Sequence, residues 1–322
     1  MKNIIIRPYT NEDFELWNTF LTKAKNATFL FHRNFMNYHS DRFKDFSVMV
    51  FEDKKLLAVL PANVKDNELF SHQGLSYGGL VVKKNIRIKN YIFIFKAILK
   101  YLKSNNIYFL NLKIMPKIYN LSLSDEIDYI LFLTKAVVYR CDTYLVLEDN
   151  LNYKSNRNRS RALCAVSNND IAVHEEKDFT SFWNLILTPN LEKRFHAKPV
   201  HSLEEITNLA LLFPNQIVLF NAYYNGVLKA GVVLFLMENV VHFQYSSGTE
   251  DRNEIPALDH LFDWIIKKYK SNKTISFGCS SENNGLQLNE GLTYWKESFG
   301  AVATVQNYVR IETKNFDLLK QF

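Results

Sequence analysis

The repeated unit of this chain is clearest in residues 91–112, YIFIFKAILKYLKSNNIYFLNL, and in residues 256–278, PALDHLFDWIIKKYKSNKTISFG. Each stretch begins as an amphipathic helix, passes through a polar turn that contains Ser-Asn, and continues as an apolar strand. The two copies lie about 165 residues apart, whereas the repeats of solenoid proteins are about 20–50 residues long. This spacing therefore predicts two copies of one domain.

The segments on either side of these stretches repeat at the same offset. Residues 13–18 contain Asp-Phe and Trp-Asn pairs that recur at residues 178–184, and the closing strand Thr143–Glu148 recurs as Gln306–Glu312. Each copy reads as a strand and a helix, then alternating strands, a helix, a buried strand, another helix and a terminal strand. The pattern predicts a mixed α/β fold in each half.

We predict an N-terminal domain at residues 1–150 and a C-terminal domain at residues 151–322. A chain of 322 residues suits two domains, and each is long enough to bury its own core. The second domain begins with a basic linker, residues 151–169, that includes the sequence YKSNRNRSR. That run is either the solvated start of a helix or a cationic wall beside a cleft between the domains.

Composition limits the kinds of partner and the compartment. The net charge of +6 is compatible with an acidic ligand such as a nucleotide sugar, a CoA thioester or tRNA, and we expect no DNA partner. The longest apolar stretch, Tyr91–Leu102, contains Lys96 and Lys100 and is too short to span a bilayer. No signal peptide is recognised, so we expect a cytoplasmic protein. The three cysteines indicate neither a metal site nor a disulfide framework.

The order of elements in each half resembles the N-acetyltransferase (GNAT) fold. Two copies in one chain resemble the FemAB-type peptidoglycan-bridge aminoacyltransferases and their relatives. The most similar pieces are Lys154–Ala165, Asp178–Trp183 and Phe277–Gly300. The resemblance implies an α/β fold with a mixed sheet in two tandem GNAT-like domains. It also implies a transferase of cell envelope biogenesis, since many such relatives serve in assembling surface polysaccharides.

The sequence departs from acetyl-CoA-dependent relatives at the expected pyrophosphate loop. Residues 248–254 hold one glycine and three acids against one arginine, and acids at a helix N-terminus repel a pyrophosphate. The second domain is therefore not expected to bind CoA in the standard way. In the first half, Lys83 and Lys84 follow Gly78-Gly79 and precede a helix, so they either bind ligand phosphates or form a solvated basic edge. No cofactor is firmly indicated, and acyl-CoA is a candidate donor substrate.

A dense polar cluster in the first half suggests a binding or catalytic site. His72 and Gln73 lie in the sequence Ser-His-Gln-Gly after a strand, and Tyr77 follows closely. The glycines let the backbone approach a ligand, and a neutral imidazole could take a proton from an attacking amine. We predict His72 as a catalytic base and Gln73 and Tyr77 as substrate-binding residues. The alternative is a glycine-rich turn with a structural histidine.

Further candidates follow two strands of the second half. Tyr245 and Ser246 end the central strand, while Glu282 and Asn283 follow the adjacent one. The resemblance implies that these strand ends frame the catalytic position of a GNAT-like fold. We predict Glu282 as a base, Asn283 or Ser246 as a holder of a carbonyl oxygen, and Tyr245 as a substrate-binding residue. The alternative is that Glu282 and Asn283 cap the next helix.

A basic segment of the second half supplies the last candidates. Ser202 and Glu205 fit a capping box, so a helix should start there, and the preceding residues should form a loop. A loop would let Arg194 and His196 reach a ligand, and arginine suits a carboxylate or phosphate because its donors form a planar fork. We predict both as substrate-binding residues.

The leading hypothesis is an acyltransferase that acylates an amino group of a sugar or cell-envelope precursor by direct attack of the amine. The partner would be a nucleotide-linked or lipid-linked amino sugar. One alternative is an aminoacyl-tRNA-dependent, Fem-like transferase, for which tRNA is a partner. Another is a non-catalytic ligand-binding protein that retains the fold. The sequence leaves the donor, the acceptor and the oligomeric state open.

Overall fold

The computed structural model describes residues 4–148, 153–164, 170–251, 254–269 and 273–319. Its strands in chain order are β1 Ile4–Pro8, β2 Val48–Glu52, β3 Lys55–Leu60, β4 Asn63–Lys65, β5 Glu68–Phe70, β6 Val81–Val82, β7 Phe109–Lys113, β8 Val137–Leu147, β9 Ile171–Glu176, β10 Ile217–Tyr224, β11 Val227–Leu236, β12 Val240–Gly248, β13 Thr274–Cys279, β14 Ser281–Glu282, β15 Gln287–Leu288 and β16 Val302–Glu312. Its α-helices are α1 Phe14–Leu21, α2 Arg33–Met36, α3 Ile88–Ser104, α4 Glu126–Leu133, α5 Arg157–Cys164, α6 Thr180–Phe182, α7 Thr188–Phe195, α8 Leu203–Leu212, α9 Ala257–Tyr269 and α10 Glu290–Glu297.

The chain divides into two compact units. Unit 1 comprises Met1–Asp142, Asn283–Leu286 and Val305–Phe322, and unit 2 comprises Thr143–Glu282 and Gln287–Thr304. Strands β8 and β16 each contribute residues to both units. The domain boundary after residue 150 stays a prediction, and the linker residues 151–152 and 165–169 lie outside the described residues.

Unit 1 contains two sets of paired strands and a long helix. Strands β1, β2, β3 and β6 pair in that order, all antiparallel. Elsewhere β4 pairs with β5, β5 runs parallel to β7, and β7 runs antiparallel to the C-terminal part of β16. Helix α3 is amphipathic because Tyr91, Phe95, Ile98 and Leu102 recur at helical spacing, and all four are buried in the core of this unit.

Unit 2 is built around an antiparallel meander. Strands β9, β10, β11 and β12 pair antiparallel in spatial order, and the Asn225-Gly226 turn that joins β10 to β11 has positive φ at both residues. Helix α9 buries Leu261, Phe262 and Ile265 against this sheet. Strand β13 then runs parallel to β12 and antiparallel to β8.

Both copies of the quoted stretch form a helix followed by a strand. Helix α3 leads to β7 in unit 1 and helix α9 leads to β13 in unit 2, and each of these strands has a parallel neighbour. The other strand pairs described above are antiparallel, so the predicted mixed α/β class is confirmed. Over the described part of the chain, no helix is long and apolar enough to cross a membrane.

Candidate functional site

A polar pocket of about 470 Å³ opens in unit 1. It forms where the parallel strands β5 and β7 end, and β8 and β16 contribute Tyr139, Arg140 and Tyr308 to its lining. Its walls are Phe70, Ser71, His72, Gln73, Asn111, Lys113, Tyr139, Arg140, Asn284 and Tyr308. Two of the predicted residues, His72 and Gln73, therefore line one pocket together.

The backbone around His72 is held tightly. The Ser71 amide donates to the carbonyl of Asn111 at 2.9 Å, and the Ser71 hydroxyl accepts from the Lys113 amide at 2.9 Å. The Gln73 side chain and backbone pair with the buried amide of Asn63 at 2.9 and 2.8 Å. His72 itself has φ +61°, a left-handed conformation that a histidine adopts at a cost. The strain indicates that this turn is fixed by its surroundings.

His72 is a neutral hydrogen-bonding group in this pocket. Its side chain packs against Phe43 and lies 5.4 Å from the ring of His39, centroid to centroid. Burial, and next the charge on His39, lower the pKa of His72 to about 3. Its buried Nδ1 makes no hydrogen bond with the described residues. An imidazole of this kind is uncharged at neutral pH and is a weak base.

Lys113 supplies the titratable cation of the pocket. Its Nζ donates to the carbonyl oxygen of Leu75 at 2.7 Å and lies 5.7 Å from the centre of the Tyr308 ring. Burial, reinforced by the nearby charge of Arg140, lowers the pKa of Lys113 to about 8. An ammonium has three donors, so two remain for a ligand while the bond to Leu75 is kept.

Arg140 organises the opposite wall. Its Nε and Nη2 donate to the carboxylate of Asp142, and its Nη1 donates to Asn284 Oδ1 at 2.9 Å. The guanidinium lies 4.5 Å from the centre of the Tyr308 ring, which also makes an edge contact with Tyr139. Because Asp142 neutralises Arg140, the net positive charge of the pocket comes from Lys113.

The other residues predicted in the first half lie away from the pocket walls. Tyr77 is 3 % exposed, donates from its hydroxyl to Thr28 Oγ1 at 3.1 Å, and stacks near Tyr119. It belongs to the core because its ring packs against Phe31 and Tyr119. Lys83 and Lys84 follow β6, and neither lines the pocket. Their substrate-binding roles stay predictions.

In unit 2, strands β12 and β13 diverge as a GNAT-like fold requires. Val240–His242 of β12 pair with Thr274–Ser276 of β13, and the pairing ends there. Two residues further along β13, Gly278 has φ +75°. Lys296 of α10 reaches the diverging end, where its Nζ donates to the carbonyls of Gly278 at 3.1 Å and Cys279 at 2.7 Å. Burial lowers the pKa of Lys296 to about 7.

Tyr245 is held by a histidine. The His201 amide donates to Tyr245 Oη at 3.1 Å, and His201 Nδ1 lies 2.6 Å from the same oxygen. The ring also packs edge-on against Trp183. Burial raises the pKa of Tyr245 to about 12, so its hydroxyl is protonated at neutral pH. The adjacent Ser246 is exposed on β12.

Glu282 and Asn283 are exposed after β13. The Glu282 carboxylate accepts from Asn289 Nδ2 at 2.6 Å, and Asn283 begins a turn with φ +48°. The helix that follows is α10, and its N-terminal cap is Asn289, which accepts from the Leu292 amide. Neither Glu282 nor Asn283 is therefore the cap of that helix.

The basic segment of unit 2 differs in part from its predicted structure. Ser202 and Glu205 form the predicted capping box at the start of α8. However, Arg194 lies in the last turn of α7, where a cation interacts favourably with the helix C-terminus. The loop begins only at His196, which has φ +48°. Both side chains are exposed.

The acidic loop before α9 carries ion pairs. Glu250 lies 2.5 Å from Lys193, and Asp251 lies 2.6 Å from Lys229. Hydrogen bonds from these lysines lower the pKa of both carboxyls, so both are charged at neutral pH. Residues 252–253 of the loop lie outside the described residues.

Sequence reasoning missed most of the pocket walls. The missed side chains are Asn111, Lys113, Tyr139, Arg140, Asn284 and Tyr308. A signal was present in β7, where Asn111 and Lys113 alternate with buried leucines and therefore share one face of the strand. The same period of two places polar residues on one face of β16. That pattern alone does not predict which strands come together.

Comparisons with solved structures reveal the same fold at low sequence identity. FemX aligns with a TM-score of 0.68 over 99% of this chain and 100% of FemX, at 9% identity. L-PGS from Bacillus licheniformis aligns with a TM-score of 0.58 over 97% of this chain and 96% of L-PGS, at 12% identity. A tandem GNAT protein from the clavulanic acid biosynthesis pathway aligns with a TM-score of 0.50 over 97% of this chain and 99% of that protein, at 10% identity.

No protein-family model matches the sequence, and no curated protein matches it. The structural likeness nevertheless spans almost all of both chains in each comparison. It agrees with the paired helix–strand copies and with the diverging parallel strands of unit 2. The chain therefore has the FemAB-like tandem GNAT fold.

Proposed function

We propose that this protein transfers an acyl or aminoacyl group to an amino group of a sugar or cell-envelope precursor, and that the unit 1 pocket binds the acceptor. The observation that supports the reaction class is the likeness to FemX over the whole chain. The amine lone pair attacks the carbonyl carbon of a thioester or ester, and the C–N bond forms as the C–S or C–O bond breaks. A base removes the amine proton, and the thiol or alcohol leaves.

The pocket suits the sugar end of an acceptor that carries a negative group. Lys113 offers donors to a carboxylate or phosphate, since charge-assisted hydrogen bonds are the strong ones. Tyr139 and Tyr308 present ring surfaces on which a sugar can pack. His72 and Gln73 offer neutral polar atoms for hydroxyl groups. These side chains together favour a nucleotide-linked or lipid-linked amino sugar as the acceptor.

Of the two predicted bases, His72 is disfavoured by its lowered pKa. General-base efficiency is greatest when the pKa of the base lies near the working pH. The buried imidazole of His72 has a pKa of about 3, so it is a poor proton acceptor at neutral pH. Glu282 is an exposed carboxylate in β14, which follows β13. We therefore assign acceptor binding to His72 and keep Glu282 as the predicted base.

The donor stays open between two classes. The carboxylates of Glu250 and Asp251 precede α9, where a pyrophosphate would need the positive helix end. Both carboxylates are paired with lysines, so these residues offer no net positive charge to a pyrophosphate, and this disfavours CoA bound in the standard way. The second candidate donor is an aminoacyl ester such as aminoacyl-tRNA. Acyl-CoA remains the first donor to assay because the fold is similar to that of a tandem GNAT protein.

The test uses the full chain with acetyl-CoA, longer acyl-CoAs or a mixture of aminoacyl-tRNAs, and with nucleotide amino sugars as acceptors. Mass spectrometry should find an acceptor heavier by the acyl group. Glu282→Ala should lower turnover by about 10²–10⁴ while the melting temperature holds. Lys113→Met should weaken acceptor binding by at least about tenfold, and the control Lys117→Met, on an exposed lysine, should not.

Two outcomes would overturn the proposal. If the acceptor binds but no donor yields product, the protein is a binding protein that retains the fold. If Lys113→Met and Lys117→Met bind the acceptor equally well, the acceptor does not lie in the unit 1 pocket.

A further inference from the structure

One face of unit 1 carries cations that have no acidic partners. We call it the basic surface and define it as Lys23, Lys55, Lys83, Lys84, Arg87 and Lys89. It lies outside the lining of the pocket described above. All except Lys83, which is half-buried, are exposed.

Backbone contacts bring these residues together from separate elements. Lys23 follows α1, and its carbonyl accepts from the Lys84 amide at 3.4 Å, while its neighbour Ala24 forms a β-bridge with Lys83. Lys55 opens β3, and β3 pairs with β6 directly before Lys83. Arg87 is the N-terminal cap of α3. The cations therefore form one surface although they are distant in sequence.

The charge of this surface is not compensated within the described residues. None of the six cations lies in an ion pair there. Glu52 faces Lys55 across the β2–β3 turn without forming an ion pair. After burial, the charges that lower the pKa of Lys83 are those of Lys55 and Lys23. The lysines thus repel one another in the free protein.

The start of α3 adds to the positive field. Arg87 caps the helix, Lys89 lies in its first turn, and that turn contains no acid. Cations at a helix N-terminus are unfavourable because the helix dipole is positive there. Between these two cations, Ile88 exposes 45 % of its surface. An exposed aliphatic side chain between exposed cations is the arrangement expected of a surface that meets a lipid headgroup layer.

We propose that the basic surface docks this protein onto an anionic lipid bilayer. Five of the six cations are lysines, which act as compact point charges, whereas arginine predominates where planar phosphate and base recognition is needed. Lysine stems can also pack along the apolar side of the headgroup layer beside Ile88. This docking does not depend on the transfer reaction, since it uses residues outside the pocket.

The test is co-sedimentation of the full chain with vesicles of phosphatidylcholine alone, or of phosphatidylcholine mixed equally with phosphatidylglycerol. The protein should sediment with the mixed vesicles only, and added salt should release it. The double variant Lys83→Glu/Lys84→Glu should lose at least about 20-fold of its partition coefficient, because each lysine near an anionic surface contributes several-fold. Lys23→Glu/Lys55→Glu, on other elements, should lose as much.

The matched control is Lys100→Glu/Lys103→Glu, which makes the same charge change on α3 roughly 15–20 Å from Lys89. It should keep most of the binding, and melting temperatures should verify that every variant is folded. Equal loss in this control would overturn the proposal, because net charge alone would then explain binding. So would tight binding of free pyrophosphate or of an RNA oligomer through the same lysines without any vesicle binding.

Discussion

Gly285 packs directly against the carbonyl oxygen of Cys141: a Cβ atom at residue 285 would lie 2.2 Å from that oxygen. Gly285 also has φ +86°, which only glycine adopts without strain. Its neighbour Asn284 accepts the hydrogen bond from Arg140 at the pocket wall. This close approach therefore fixes the turn that positions one side of the pocket.

Gly285→Ala should destabilise unit 1 by about 2–4 kcal/mol, because the turn must shift as well as accept a strained φ. The control is Gly226→Ala, at φ +76°, where a Cβ would meet nothing within 4 Å. That control should cost only about 1 kcal/mol. Urea unfolding measures both changes. Equal losses would mean that the contact with Cys141 carries no energy.

His72→Asn should make the protein less sensitive to acid. The pKa of His72 is about 3 in the folded protein, and its ordinary value of 6.5 applies to the unfolded chain. Between these pH values the unfolded chain therefore binds a proton that the folded protein does not. Stability is lost as the pH falls from 6.5 towards 3. At pH 4.5 this loss is about 1–2.5 kcal/mol for the wild type, and asparagine, which tolerates the left-handed backbone, removes it.

The measurement is the free energy of unfolding at pH 7 and at pH 4.5. The variant loses packing against Phe43 at both pH values, so the comparison rests on the difference between them. If the wild type and His72→Asn lose the same stability on acidification, the buried neutral imidazole is not the cause.

Tyr245→Phe distinguishes a structural role from the predicted substrate-binding role. The substitution removes the oxygen that accepts from the His201 amide, and this should cost about 1–3 kcal/mol of stability. A double-mutant cycle with His201→Phe should reveal coupling between the two side chains. Lower ligand affinity with unchanged stability would instead support substrate binding by Tyr245.

The sequence predicts the elements of this fold better than its site. Helix α3 and strand β7 follow from local periods of 3.6 and 2, which depend on neighbouring residues only. His72 and Gln73 were predicted at the pocket because a polar, glycine-rich cluster follows a strand. Lys113 and Tyr308 meet only because β7 pairs with β16, and this long-range pairing is not encoded in either local pattern.

Some local structure was also ambiguous in the sequence. The segment around Arg194 is rich in cations and was predicted as a loop, but its first part continues α7 to Phe195. Cations are favourable in the last turn of a helix, so the same residues suit both structures. The capping box locates the start of α8 but does not locate the end of α7.

Lys296→Met should remove a pH-dependent part of the stability of unit 2. Lys296 is 4 % exposed. Its pKa is about 7 in the folded protein, whereas the ordinary value of a lysine, 10.5, applies to the unfolded chain. Between these values the unfolded chain binds more protons, so the free energy of unfolding of the wild type rises as the pH rises from 7 to 10. The rise from this lysine is about 2–4 kcal/mol.

The free energy of unfolding of the variant should rise less over the same pH range. Met also leaves the carbonyls of Gly278 and Cys279 without their donor at every pH. The slope of the free energy of unfolding against pH, rather than the stability at one pH, therefore reports the lowered pKa of Lys296. Lys113 adds its own rise in both proteins, so some slope should remain in the variant. The control is Lys314→Met, an exposed lysine, which should keep the full wild-type slope. If Lys296→Met kept that slope as well, Lys296 would be charged in the folded protein at pH values well above 7, and the end of β13 would be held by an ammonium rather than by a neutral amine.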